Sequence, residues 1–169
     1  MRIPKARGVL VGLAVAGALA IPAATMAATL AGTAGADTLK GTVTADTIHG
    51  LAGNDTVNGY GGADWLYGDG GADQVRGGNG PDHIYGGNGP DQLYGDAGND
   101  VIRGGDGNDT IRGGAGTDRV FGNSGNDLII VGYDTAADVV DCGTGSDRVV
   151  AGPTDIVASN CEVVTRTTE

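Results

Sequence analysis

Eleven aspartates stand nine residues apart without a break: Asp37, Asp46, Asp55, Asp64, Asp73, Asp82, Asp91, Asp100, Asp109, Asp118 and Asp127. A regular file of carboxylates is a file of hard anionic oxygen donors, suited to hold hard divalent cations. The partners that other chemistries require are missing from it. His49 and His83 are the two histidines, and they fall on outward strand places, where they read as surface residues rather than zinc ligands. Ser124, Ser146 and Ser159 have no histidine near them in the repeat geometry. The only glutamates, Glu162 and Glu169, cannot close an EF-hand, and Lys40 follows Leu39 rather than the glycine of a phosphate loop.

The elements that position these carboxylates are legible in the same period. Two residues after each aspartate stands an aliphatic residue: Leu39, Ile48, Val57, Leu66, Val75, Ile84, Leu93, Ile102, Ile111, Val120 and Ile129. The stretch Gly32 to Ile130 therefore divides into eleven nine-residue units, with aspartate at the sixth place and the aliphatic residue at the eighth. Glycines at the fourth place (Gly53, Gly62, Gly71, Gly80, Gly89, Gly98, Gly107, Gly116 and Gly125) mark a turn whose backbone enters conformations closed to other residues. The spelling predicts a six-residue turn followed by three residues of strand, with the eighth place pointing inward and the seventh and ninth outward. Two units make one coil, and two short parallel sheets face each other across the aliphatic rows. One inward side chain per nine residues is too little burial to offset the ordering of nine residues of backbone. Coils stacked at about 4.8 Å would also set the aspartates of units n and n+2 against each other. Cations between the coils would turn that repulsion into ligation, and carboxylates with turn carbonyls in a flexible cage favour Ca²⁺ over Mg²⁺.

These units resemble the Gly-Gly-x-Gly-x-Asp-x-aliphatic-x repeats of the RTX, or hemolysin-type, calcium-binding proteins. The resemblance covers Gly32 to Ile130 and implies an all-β, right-handed parallel β-roll, with Ca²⁺ held between turns by the sixth-place aspartates and turn carbonyls. It implies two metal columns. One is Asp37, Asp55, Asp73, Asp91, Asp109 and Asp127; the other is Asp46, Asp64, Asp82, Asp100 and Asp118. Nine gaps between coils set a ceiling of about nine ions. Thr44, in place of the fourth-place glycine of unit two, puts the Asp46 site in question. Asp69, Asp96 and Asp106 in the turns read as surface charge. Beyond Ile130 the register stumbles and returns at Asp138/Val140 and Asp147/Val149, so residues 131–169 form a short C-terminal β cap. The run Asp141-Cys142-Gly143-Thr144-Gly145-Ser146-Asp147 and the later Cys161-Glu162 resemble the tails of secreted calcium-binding repeat proteins. The two cysteines then give one intramolecular bridge, Cys142 to Cys161.

Residues 1–27 read as a secretory signal: Arg2, Lys5 and Arg7 supply the positive start, Gly8 to Ala24 the apolar run, and Thr25-Met26-Ala27 the small residues before a cut after Ala27 or Ala28. The organisation expected is thus signal 1–27, calcium-binding roll 28–130 and cap 131–169, in an extracellular protein without stable membrane insertion after cleavage. Acidic residues number 21 against 10 basic, and loss of the signal removes three of the basic ones. Such a surface repels nucleic acid and attracts cations. With 34 glycines and seven aromatic residues there is no conventional globular core. The residues after unit eleven are too few for a catalytic domain and contain no histidine, so no enzymatic activity is expected. The function expected is calcium binding coupled to folding. An alternative is a calcium-stabilised adhesion or carbohydrate- or protein-binding module, with Trp65, Tyr67, His83, Tyr85, Arg103 and Phe121 of the even units as its contact face.

Overall fold

The computed structural model of the protein describes residues 26–132 and 134–167, so the signal expected at residues 1–27 lies outside the described residues except for Met26 and Ala27. The described chain holds strands only, in two eight-stranded parallel sheets. One sheet stacks β1 (Thr29–Ala31), β3 (Thr47–His49), β5 (Trp65–Gly70), β7 (His83–Asn88), β9 (Val101–Asp106), β11 (Arg119–Ser124), β13 (Val139–Thr144) and β15 (Ile156–Val157) in that order. The other stacks β2 (Thr38–Lys40), β4 (Thr56–Gly61), β6 (Gln74–Asn79), β8 (Gln92–Ala97), β10 (Thr110–Ala115), β12 (Leu128–Ile130), β14 (Arg148–Ala151) and β16 (Val163–Arg166). Successive strands alternate between sheets, so each pair of units makes one coil of a parallel β-roll.

The period of the sequence is the register of the sheets. Leu30, Ile48, Leu66, Ile84, Ile102, Val120, Val140 and Val157 lie in line along one sheet. Leu39, Val57, Val75, Leu93, Ile111, Ile129, Val149 and Val164 lie in line along the other. The two rows meet as the core, with Ile48, Leu66, Ile84, Leu93, Ile102, Ile111, Val120 and Ile129 fully buried.

Three features modify or add to the expected layout. The strands of the complete units run six residues rather than three, because ladder bonding continues through the first three places of the next unit. The chain bends at the second of those places, where Leu51, Tyr60, Asp69, Asp96 and Asn123 adopt φ of 70–78°. An additional strand precedes unit one, since β1 pairs with β3 and sends Leu30 into the core nine residues before Leu39. Finally, residues 139–166 continue both sheets with parallel pairing, and Val140, Cys142, Val149 and Ala151 extend the same core. β16 ends its sheet as an outer strand with Val163 half exposed, so the short C-terminal β cap is built by continuing the two sheets.

Candidate metal centre

Each sixth-place aspartate sits where the turn enters the strand, and from Asp46 onward all of them are buried. Their carboxylates share one arrangement. Oδ1 accepts the backbone N–H of the aspartate one coil earlier: Asp64 N–H donates to Asp82 (2.9 Å), Asp82 to Asp100 (2.8 Å) and Asp100 to Asp118 (2.9 Å). The second column repeats this from Asp55 through Asp73, Asp91 and Asp109 to Asp127. One oxygen of each carboxylate thus belongs to the ladder between coils.

The other oxygen does not. Oδ2 is buried without a hydrogen-bond partner at Asp55, Asp64, Asp73, Asp82, Asp91, Asp100, Asp109, Asp118, Asp127, Asp138 and Asp147. From Asp55 to Asp127 it lies over the first-place glycine of its own unit, and from Asp55 to Asp109 also beside the carbonyl of the first-place glycine one coil on. A Cβ on Gly68 would lie 2.6 Å from Asp73 Oδ2 and 2.6 Å from the Gly86 oxygen. The first place must be glycine because two oxygens converge on the space where a side chain would begin. The fourth-place glycines complete the turn: Gly53, Gly62, Gly71, Gly80, Gly89, Gly98, Gly107, Gly116 and Gly125 all have φ between 114° and 152°. A Cβ at any of them from Gly71 onward would overlap the fourth-place carbonyl of the coil before.

The electrostatics follow from burial. Desolvation, opposed by the N–H bond to Oδ1 and reinforced by neighbouring carboxylates, pushes Asp64, Asp91, Asp100 and Asp138 up to about 7 and Asp82, Asp109 and Asp118 to about 6. Desolvation also raises Asp55, Asp73 and Asp127. Unit charges about 5 Å apart at an effective dielectric constant near 20 repel by roughly 3 kcal/mol per neighbouring pair, as much as burial of one aliphatic side chain returns. At neutral pH such columns call for positive charge. Among the described residues no three His, Cys, Asp or Glu side chains gather at one point, so an ion here would draw on backbone carbonyls as well as carboxylate oxygens. That all-oxygen donor set suits Ca²⁺ and not zinc.

The two expected columns run on past Asp127 toward the C-terminus. Asp37 and Asp46 differ from the rest, because their Oδ2 atoms accept bonds from Thr33 and Thr42. Asp138 and Asp147 also join the columns, accepting the N–H groups of Asp118 (2.8 Å) and Asp127 (2.9 Å). Asp155 and Glu162 end them, accepting from Asp138 (3.1 Å) and Asp147 (2.7 Å). Asp138 and Asp147 had a signal in their valines two residues on. Asp155 and Glu162 had little, since the steps to them are 17 and 15 residues instead of 18. Cys142 and Cys161 form a disulfide with their Cα atoms 5.3 Å apart.

The even-unit residues come together on the outer face of the first sheet as a ladder. His49 stacks on Tyr67 at 4.2 Å and Tyr67 on Tyr85 at 4.9 Å, while Arg103 lies over both Tyr85 (5.4 Å) and Phe121 (4.8 Å). Trp65 stacks on His83 at 4.2 Å in the next row. The stacked rings turn their faces toward one another, and sugar C–H groups stack on ring faces. The turn aspartates pair with surface groups: Asp69 with His49 at 3.1 Å, and Asp96 with Arg76 at 3.9 Å.

The model for the RTX calcium-binding nonapeptide repeat (4 copies) matches residues 27–56, 41–75, 67–102, 76–111 and 94–129, more than half of the chain. The protein therefore belongs to the RTX calcium-binding repeat family, whose β-roll is a structural calcium-binding fold. No curated protein matches the chain.

Proposed function

We propose that this protein is a secreted calcium-binding roll that holds several Ca²⁺ ions, at most about nine, between successive coils and folds as it binds them, with no catalytic activity of its own. The ligands in this reading are the sixth-place carboxylates of the two columns, joined by Asp138 and Asp147, with the carbonyls of the glycine turns. The observation that carries it is the file of buried carboxylate oxygens without partners, those from Asp55 to Asp127 each beside a first-place glycine. A divalent ion supplies the charge that these columns lack, and the free energy of binding becomes free energy of folding. Secretion is supported by the signal-like residues 1–27 and by the Cys142–Cys161 disulfide, which persists in oxidising compartments. The outer aromatic column is better read as a stabilising ladder than as a glycan face, because its stacked ring faces already cover one another.

The test is calcium titration of the chelator-stripped chain, followed together by calorimetry and far-ultraviolet circular dichroism at pH 7.5. Strand signal is expected to appear in step with calcium uptake. The same strand spectrum in chelator and in calcium would sink the coupled-folding reading.

A further inference from the structure

The first two units repeat one arrangement that appears in none of the nine units after them. In unit one, the N–H and hydroxyl of Thr33 both donate to Asp37 Oδ2, at 2.5 and 2.8 Å. In unit two, the N–H and hydroxyl of Thr42 both donate to Asp46 Oδ2, at 2.5 and 3.0 Å. The same hydroxyls then accept the fourth-place N–H groups, from Gly35 and from Thr44, each at 3.2 Å. From unit three to unit eleven, the corresponding carboxylate oxygen is buried without any partner.

The cause is the backbone at the second place. Leu51, Tyr60, Asp69, Gly78, Gly87, Asp96, Gly105, Gly114 and Asn123 all have φ between 70° and 118°, and Thr33 and Thr42 do not. A β-branched side chain disfavours that region, so threonine holds the second place in the other conformation. Its N–H and its hydroxyl then meet the carboxylate that later units leave open.

We propose that Thr33 and Thr42 take the place of calcium in the first two units: Asp37 and Asp46 close without metal, and the ion-binding part of the roll begins at Asp55 and Asp64. The proposal rests on the calcium reading above and narrows it to particular carboxylates. Two donors from within the chain do for Oδ2 what the cation does elsewhere. The roll then carries an end whose closure is independent of calcium.

Calorimetric stoichiometry of the full chain, unsubstituted and with Asp46→Asn or Asp91→Asn, tests this. Asp46→Asn is expected to bind as many ions as the unsubstituted chain, and Asp91→Asn at least one fewer. A loss at Asp46→Asn matching that at Asp91→Asn overturns the proposal while leaving the calcium reading intact. No uptake by the unsubstituted chain overturns the calcium reading and the proposal with it. Should Asp46→Asn not fold in saturating calcium, amide exchange at Thr42 in the loaded unsubstituted chain decides. Slow exchange is expected there, and exchange as fast as in an open peptide overturns the proposal.

Discussion

The coils between Asp55 and Asp127 and the coils at the two ends carry a carboxylate at the same place, but only the end coils satisfy its second oxygen from within the chain. At the N-terminal end Thr33 and Thr42 donate to it; at the C-terminal end Gly152 N–H donates to Asp155 Oδ2 at 2.6 Å. In between, the oxygen is buried and unpartnered in every unit. A solenoid must stop somewhere, and its terminal repeats carry the burden of stopping. Here stopping includes removing the need for an ion. Demand for cations is therefore a property of the interior, and the ends are ordinary hydrogen-bonded turns.

Protonation is the largest lever on this difference. In the unfolded chain the carboxylates titrate near their model value of 3.8, and in the roll burial raises ten interior ones, seven of them to about 6 or 7. Folding without metal then takes up protons between about pH 4 and pH 7. Stability contributed by these groups is fully present below pH 4 and is lost as pH rises through 6 to 7. In chelator, strand content is expected to grow as pH falls from 8 toward 5, and calcium affinity to increase in the opposite direction because binding releases the same protons. Strand content in chelator that is flat or rises with pH would contradict the buried columns.

The fourth place separates the regions by sterics. Unit two has Thr44 there, outside the positive-φ set, whereas unit seven has Gly89 at φ 114°, where a Cβ would overlap the Gly71 carbonyl. Gly89→Thr copies the end residue into the interior. It combines a disfavoured φ with a backbone clash, so a loss of about 4 kcal/mol or more is expected, read as failure to fold in saturating calcium. Thr44→Gly is expected to change stability by about 1 kcal/mol or less. Similar effects of the two substitutions would mean that the turns at centre and end are alike.

Much of this architecture was legible because a nine-residue period is a strong constraint: the pairing of Ile84 with Ile102 and of Val75 with Leu93 is the period read in space. The limits have physical causes. The bond from a backbone N–H to Asp Oδ1 eighteen residues on, as between Asp64 and Asp82, depends on how coils rotate past each other, and periodicity is silent about that. Leu30 was missed as a member of the stack because the residues before unit one dropped the glycine spelling while keeping the fold. Thr42 carried no signal in the sequence, because the meaning of a hydroxyl depends on the oxygen it faces. The ring stacking was foreseeable in kind, since same-place residues of alternate units must adjoin, but not in which faces would be covered.

The disulfide tests how far the C-terminal end depends on covalent closure rather than on ions. Cys142 is fully buried in the core beside Val140, and its bond to Cys161 closes a loop of sequence separation 19. Replacing both cysteines with alanine is expected to cost roughly 3 kcal/mol by the loop-entropy model. The loss should appear first as faster amide exchange in residues 148–166, with the central coils protected as long as calcium is saturating. Uniform loosening of the whole roll would show that end and centre fold as one unit.

The smallest expected effect compares the two outer faces. Arg103 fills the gap in the aromatic column, over the rings of Tyr85 and Phe121, with a 3.4 Å bond to the Tyr85 hydroxyl. Arg112, at the same place of the opposite sheet, is exposed and has no ion pair or ring partner among the described residues. Arg103→Ala should cost about 1 kcal/mol at saturating calcium, and Arg112→Ala less than about 0.5 kcal/mol, both from denaturant midpoints with unchanged slope. Equal costs would mean that the stacked column adds nothing to what an exposed arginine on a parallel ladder already provides, and would reopen the aromatic face to a role outside the fold.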